Sequence, residues 1–138
     1  MIRNMNKIIN KVEWHEQFKI RIANSDKSFE KHEIIKTLLV MKLIEKNRSN
    51  KSWIRIYTEW DLFEDTICDI YFEDIKNKVC YAFEIQKKID TEWTNRIVKK
   101  YKDWEVFGFN SADLIIVPIQ KLSDDLNILS TQLDEYIF

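Results

Sequence analysis

The chain is poor in glycine and proline, with one of each, Gly108 and Pro118. A phosphate cradle of the P-loop or dinucleotide-binding type needs several glycines within a few residues, so no nucleotide cofactor is expected. The same scarcity leaves no low-complexity linker, and residues 1–138 read as a single domain. Cysteine and histidine are also scarce. Cys68 and Cys80, with the distant His15 and His32, have no zinc-ligand spacing, so the thiols are expected to be free and buried. No apolar run approaches the roughly 20 residues of a membrane span, and the polar N-terminus does not resemble a signal peptide. The expected location is therefore cytoplasmic, the host's cytoplasm if a virus or plasmid carries the chain. A strong net charge is missing too. At −1 overall, binding to a polyanion has to rest on a local basic patch.

What the chain does have is a 45% hydrophobic and 33% charged composition over 138 residues, enough for a core without staples. Its most informative stretch is Thr66 to Gln86, TICDIYFEDIKNKVCYAFEIQ. Two alternating runs rich in Ile, Val, Tyr and Phe flank Asp-Ile-Lys-Asn-Lys, which predicts a β-hairpin with a two-residue turn at Lys76-Asn77. In that register Asp69 lies directly opposite Glu84, an acidic pair that costs electrostatic energy. Ile70, Phe72, Val79, Tyr81, Phe83 and Ile85 form one face, a core face. Asp69, Tyr71, Glu73, Cys80, Ala82, Glu84 and Gln86 form the other. Cys68 and Cys80 are not opposed and are expected on opposite sides of the sheet. Opposed carboxylates are tolerable around a divalent cation. They are equally ordinary on an outward polar face that holds no metal.

The remaining elements follow from periodicity and caps. Val12 to Ile22 alternates and predicts a strand or extended arm, with His15 on its polar side. Ser25-Asp26-Lys27-Ser28 offers N-caps for a helix to about Asn47. Ile34, Ile35, Leu38, Leu39, Val40, Met41, Leu43 and Ile44 make that helix apolar on most sides, so heavy burial is expected. Glu33 shares a stripe with Phe29, Thr37, Val40 and Ile44 and points inward, or else is a first-turn acid stabilised by the helix dipole. Glu30 competes for the same role, and His32 reads as a surface residue. Trp53 to about Trp60 predicts a strand and Asp61 to Asp65 an acidic connection. Asp90 and Thr91 cap a helix to about Trp104, whose stripe of Trp93, Ile97, Tyr101 and Trp104 reads as core. Ala112 to Ile119 predicts a strand covered on both faces and parallel to its neighbour. Ser123, with Asp124 and Asp125 behind it, is expected to cap a last helix that can pack on the sheet or on a second subunit.

The order helix, three strands, helix, strand, with one acid on the first helix and one on each hairpin strand, resembles the PD-(D/E)xK nuclease superfamily. That group includes restriction endonucleases, RecB-like nucleases and archaeal Holliday-junction resolvases. The resemblance covers about residues 28–119. It implies an α/β restriction-endonuclease-like core, α-β-β-β-α-β, with a mixed central sheet flanked by helices, an extra N-terminal strand and a C-terminal helix. Asp69 in Cys68-Asp69-Ile70 occupies the position of the family's strand aspartate, and Glu84-Ile85-Gln86 that of its Glu-x-Lys. Glu33 falls at the position of its helical acid. Phe83 to Tyr101, FEIQKKIDTEWTNRIVKKY, is also similar to the Glu-x-Gln variant of CoiA-like members, in which a helix carrying an Arg and then a Tyr follows, here Arg96 and Tyr101.

Gln86 in the lysine position is the main departure, because an amide orients water but supplies no positive charge. Certain restriction endonucleases carry the same exchange and remain active. Lys88, which shares parity with Glu84 and Gln86 if the strand continues, and Lys100 on the next helix are candidates to restore the charge, whereas Lys87 should point to the other face.

The resemblance implies a Mg²⁺-dependent deoxyribonuclease, with Mn²⁺ as a substitute ion. Asp69, Glu84, the Ile85 backbone carbonyl and Glu33 would be metal ligands, with Glu33 taking a second ion or a metal-bound water, and Gln86 would position the attacking water. Arg96, Lys100, Lys87 and Tyr101 would contact DNA. A junction-resolving endonuclease, suited by the chain's size to a homodimer, is a narrower alternative. A catalytically inactive DNA- or protein-binding module is the alternative of another class, favoured by Gln86 and the near-zero net charge.

Overall fold

A computed structural model describes Phe18–Lys19 and residues 30–137 of the chain. Its elements are β1 (Phe18–Lys19), α1 (Glu30–Lys46), β2 (Ile54–Phe63), β3 (Thr66–Asp74), β4 (Val79–Gln86), α2 (Thr91–Tyr101), β5 (Ser111–Pro118) and α3 (Leu126–Leu133). The strands form one mixed sheet in the order β1-β2-β3-β4-β5. β1 runs parallel to β2, the pairs β2–β3 and β3–β4 are antiparallel, and β5 runs parallel to β4 after the α2 crossover.

The central hairpin has the expected register. Pairs run from Asp74↔Val79 to Ile70↔Phe83, and the next step places Asp69 beside Glu84. The turn is longer than the two residues expected and covers residues 75–78. It is closed by Asp74, whose carboxylate accepts from the Asn77 backbone N–H at 3.0 Å and from its side-chain amide at 2.7 Å. Lys78 takes the left-handed conformation that ends the turn, with φ 56°. The connection between β2 and β3 is shorter than expected. Asp61 belongs to β2, Phe63 pairs with Thr66, and only Glu64 and Asp65 remain in the turn, Asp65 at φ 52°.

Both sides of the sheet are covered. On one side α1 and α3 pack Ile35, Leu39, Val40, Leu43, Leu129 and Leu133 against Ile54, Ile56, Ile70, Phe72, Phe83 and Ile85. On the other, Ile97 and Tyr101 of α2 pack on Cys68, Tyr71, Cys80 and Ala82. The face opposite the α1 side is thus largely a second core. Burying an aliphatic or aromatic side chain contributes about 1.5–3 kcal/mol, so the two layers hold the sheet between them.

Several boundaries and exposures differ from expectation. α1 is buried on one face only, with Ile34 and Met41 exposed, because the sheet and α3 cover only that face. β5 is only partly buried before Val117, because it is the outer strand on its side of the described sheet. α2 begins as expected, with Asp90 accepting from the Trp93 N–H at 2.8 Å, a cap worth about 1 kcal/mol, but it ends at Tyr101. The cap of α3 is Asp125 in place of the expected Ser123: Asp125 accepts from the Ile128 N–H at 3.0 Å, while the Ser123 hydroxyl accepts from the Asp125 N–H. α3 docks on α1 of its own chain, through the ion pairs Lys31–Asp124 and Lys42–Asp134, both 2.7 Å. Of the expected N-terminal strand only Phe18–Lys19 is described. His15, Phe29, the Ser25–Ser28 caps and the side chain of Glu30 lie outside the described residues. Among the described residues no helix is long and apolar enough to cross a membrane.

Candidate active site

The alternation of β2 and β3 reverses where the candidate acids lie. Ile54 and Ile56 on β2, and Ile70 and Phe72 on β3, face α1. Trp60, Leu62 and Cys68, of the same parity, pack instead on the α2 side. The reversal sits at Glu59, whose backbone is left-handed at φ 50° between the pairs Thr58↔Ile70 and Trp60↔Cys68. A left-handed non-glycine residue costs roughly 1–2 kcal/mol. The register is unchanged across the reversal, so Glu59 lies across from Asp69. For the same reason Cys68 and Cys80 join one cluster, contrary to the opposite sides expected from strict alternation. Both are free and buried. Burial first, then the charges of Glu84 and Asp69, push the Cys68 thiol well up, and burial raises Cys80 to about 11, so neither is a thiolate nucleophile near neutral pH.

Asp69 is the hub of the site. Its Oδ2 accepts from the Ile85 backbone N–H at 2.6 Å, tying β3 to β4. Its Oδ1 accepts from His32 Nε2 at 3.1 Å, and Nδ1 of the same ring meets Glu33 Oε2 at 2.8 Å. Burial is the largest influence on His32 and acts to lower its pKa, but the hydrogen bonds to and charges of Asp69 and Glu33 outweigh it and raise the imidazole from 6.5 to about 9. At neutral pH His32 is therefore a cation donating from both nitrogens. The surface position expected for His32 is corrected: it lies partly buried between two carboxylates.

Glu33 points inward, as its stripe suggested, and is buried. Its Oε1 accepts from Lys36 Nζ at 2.8 Å, and the same ammonium donates to Glu59 Oε1 at 2.8 Å. The Lys36 side chain is 1% exposed. Burial opposes its charge, but the hydrogen bonds and charges of Glu33 and Glu59 more than restore it and raise its pKa. Sequence reading missed His32, Lys36 and Glu59. Lys36 had a signal in its i, i+3 spacing from Glu33. Glu59 had none, because its position depends on a local reversal of the strand.

Glu84 leans the other way, toward α2. Its Oε2 accepts from the Tyr101 hydroxyl at 2.6 Å. Burial is the main cause that lifts its pKa to about 7. The Tyr101 hydrogen bond pulls it down, the Asp69 charge pushes it up, Lys100 pulls it down and Glu59 pushes it up. Tyr101 is itself buried, and burial, then the bond to Glu84, pushes its phenol well above the ordinary range, so it is a neutral donor fixed on Glu84. That placement points the Tyr101 hydroxyl at the carboxylate.

The remaining candidates surround this centre. β4 ends at Gln86, so the strand parity proposed for Lys88 does not apply, and Lys87 and Lys88 are both exposed beyond the strand. Gln86 Nε2 donates to the Lys88 carbonyl at 3.2 Å. Gln86, Lys88, Asp90, Glu92, Trp93 and Arg96 line an open cleft of about 280 Å³. Lys100 is exposed on α2, its Nζ 3.4 Å from the Asp65 carbonyl.

The fit to a divalent cation is one of charge and donor type. Asp69, Glu84 and Glu33 are hard oxygen donors, and the Asp69 charge adds to the burial that raises Glu84. The present hydrogen bonds engage both oxygens of Asp69 and both of Glu33. Among the described residues no three acidic, histidine or cysteine side chains are gathered as a ready ligand set. An ion at Asp69 therefore has to share that carboxylate with His32 or displace it.

Comparison of the chain with protein-family models, with curated proteins and with solved structures finds no match. The fold and site define a mixed α/β domain with an acidic and cationic cluster at the junction of α1, β2, β3 and β4.

Proposed function

We propose that this domain is a divalent-metal-dependent nuclease that hydrolyses DNA phosphodiesters on a restriction-endonuclease-like core. The observation that carries the reading is that Asp69 on β3 and Glu84 on β4 are opposed across the hairpin, with Glu33 on α1 joined to Asp69 through His32. Burial, with the Asp69 charge adding to it, lifts Glu84 to about 7. A cation beside the two carboxylates would offset both effects.

Asp69, Glu84 and the Ile85 carbonyl would hold Mg²⁺ or Mn²⁺, with Glu33 behind them. When bound, the ion neutralises phosphate charge and makes water a stronger nucleophile. Gln86 orients that water through its amide and leaves its acidity unchanged. Tyr101 holds Glu84 in place. The exposed Arg96, Lys100, Lys87 and Lys88 attract the DNA backbone, which makes affinity fall as salt rises.

The test is cleavage of single-stranded, linear duplex and four-way-junction DNA with Mg²⁺ or Mn²⁺, by wild type, Asp69→Ala and Glu84→Ala. The expected result is metal-dependent cutting abolished by either substitution, and a preference for the junction would narrow the reading to a resolvase that works as a homodimer. An inactive binding module is the second reading. It is favoured by the uncharged Gln86 and by the full hydrogen bonding of Asp69. Absence of both cutting and divalent-ion binding would establish it in place of the nuclease.

A further inference from the structure

A buried lysine and a strained glutamate meet behind the candidate acids, and neither has a role in the reaction described above. Removing an ammonium from water costs several kcal/mol unless its partners are well placed. Lys36 has such partners in Glu33 and Glu59, each at 2.8 Å. Glu59 reaches it from a left-handed position in the middle of a strand. Residues held in such sparsely populated conformations persist where surrounding contacts over-determine them.

We propose that Lys36 and Glu59 are positioning residues for the carboxylate site, an inference that rests on the nuclease reading. They anchor one end of a continuous chain that runs from Glu59 on β2 to Lys36 and Glu33 on α1, then through His32 to Asp69 on β3 and the Ile85 N–H on β4. Each link is a hydrogen bond between 2.6 and 3.1 Å, and most join groups of opposite charge. The positive charge that Gln86 lacks is thus present, but it stands behind the acids. From there Lys36 sets where Glu33 and His32 hold Asp69, while its burial keeps it from the water and the phosphate. The reversal at Glu59 is what brings the β2 carboxylate to the α1 side of the sheet, where Lys36 is.

The test uses Lys36→Met, which keeps the length of the side chain and removes the charge, with Lys36→Arg and Glu59→Gln beside it. The first measurement is made on metal-free protein and follows the Ile85 amide in a ¹H–¹⁵N spectrum, since that N–H reports the position of Asp69. Lys36→Met should shift it, Lys36→Arg should restore it in part, and Glu59→Gln should shift it in the same direction by less. On DNA, Lys36→Met should lower kcat by about 10- to 100-fold, as for loss of partners that orient a metal's ligands, with KM unchanged within about two-fold. A folded Lys36→Met protein with an unmoved Ile85 amide and wild-type kcat overturns the inference and leaves the nuclease reading intact. Should Lys36→Met not fold, Glu59→Gln decides in its place: an unmoved amide and unchanged kcat there overturn the inference as well. Wild-type protein that neither cuts DNA nor binds Mn²⁺ overturns the nuclease reading and with it the catalytic role of the pair, whatever the amide shows.

Discussion

Asp69 and Glu84 stand side by side at the end of one hairpin, yet their surroundings are opposite. Asp69 turns toward α1 and is compensated, taking hydrogen bonds from a charged imidazole and a backbone N–H. Glu84 turns toward α2 and has a neutral phenol as its hydrogen-bond donor, with other carboxylates near and burial lifting it to about 7. Asp69 is fixed through both of its oxygens, whereas Glu84 sits where burial opposes its charge.

The largest break in this comparison should come from Asp69→Ala. It takes one of its two carboxylate partners from a charged His32 and leaves the Ile85 N–H without its acceptor, so destabilisation of about 3 kcal/mol is expected in urea unfolding near neutral pH. Glu84→Gln should act the other way at pH 8. It removes a carboxylate whose ionisation is opposed in the folded protein, and a gain on the order of 1 kcal/mol is expected. Equal losses for the two substitutions would show that the environments are alike.

The pH dependence sharpens the same contrast. His32 and Glu84 both have folded pKa values above their ordinary ones, so the folded protein binds their protons more tightly than the unfolded chain does. Unfolding therefore releases protons, and these two groups make stability fall as pH rises. The Glu84 share is full below 4.5 and is lost on the way through about 7, and the His32 share is full below 6.5 and is lost on the way through about 9. Urea titrations from pH 4 to 10 should follow both steps. Glu84→Gln should flatten the lower step and His32→Gln the upper one.

The smallest effect is expected from Tyr101→Phe. The Tyr101 hydrogen bond is what pulls the Glu84 pKa down, so its loss should raise that pKa further. The expected cost is about 1 kcal/mol at pH 8, where Glu84 is ionised, and less at pH 5, where it is protonated. A carboxyl resonance for Glu84 that titrates as in wild type would separate Tyr101 from this site.

Much of this arrangement was legible in the chain. Alternation in CDIYF and VCYAFEIQ set the hairpin register, because a one-residue slip would move Ile70, Phe72, Phe83 and Ile85 out of the core. Asp90 announced the start of α2, and the apolar run after it announced the parallel β5. The turn lengths were misjudged by two or three residues. Asp74 can close a four-residue turn with its side chain, and periodicity does not report that contact.

The site was half legible. Local pattern sufficed for Asp69, Glu84 and the inward Glu33, whose positions follow from strand register and helix phase. His32 looked exposed because its neighbours in the chain are polar; what draws it in is Asp69, 37 residues away. Lys36 is not singled out by local pattern, and it is buried because Glu33 on its own helix and Glu59 on β2 both receive its charge. The sequence by itself determined the order of the elements, the hairpin register and the strand and helix positions of the acids, all of which depend on neighbours within a few residues. Only the tertiary structure decided which way Asp69 and Glu84 turn, that β2 reverses at Glu59, and that His32 and Lys36 are the cations between the acids. The physical reason is that a charge stays buried only when its partners arrive, and here they arrive from α1, β2 and β3 once the sheet has been assembled.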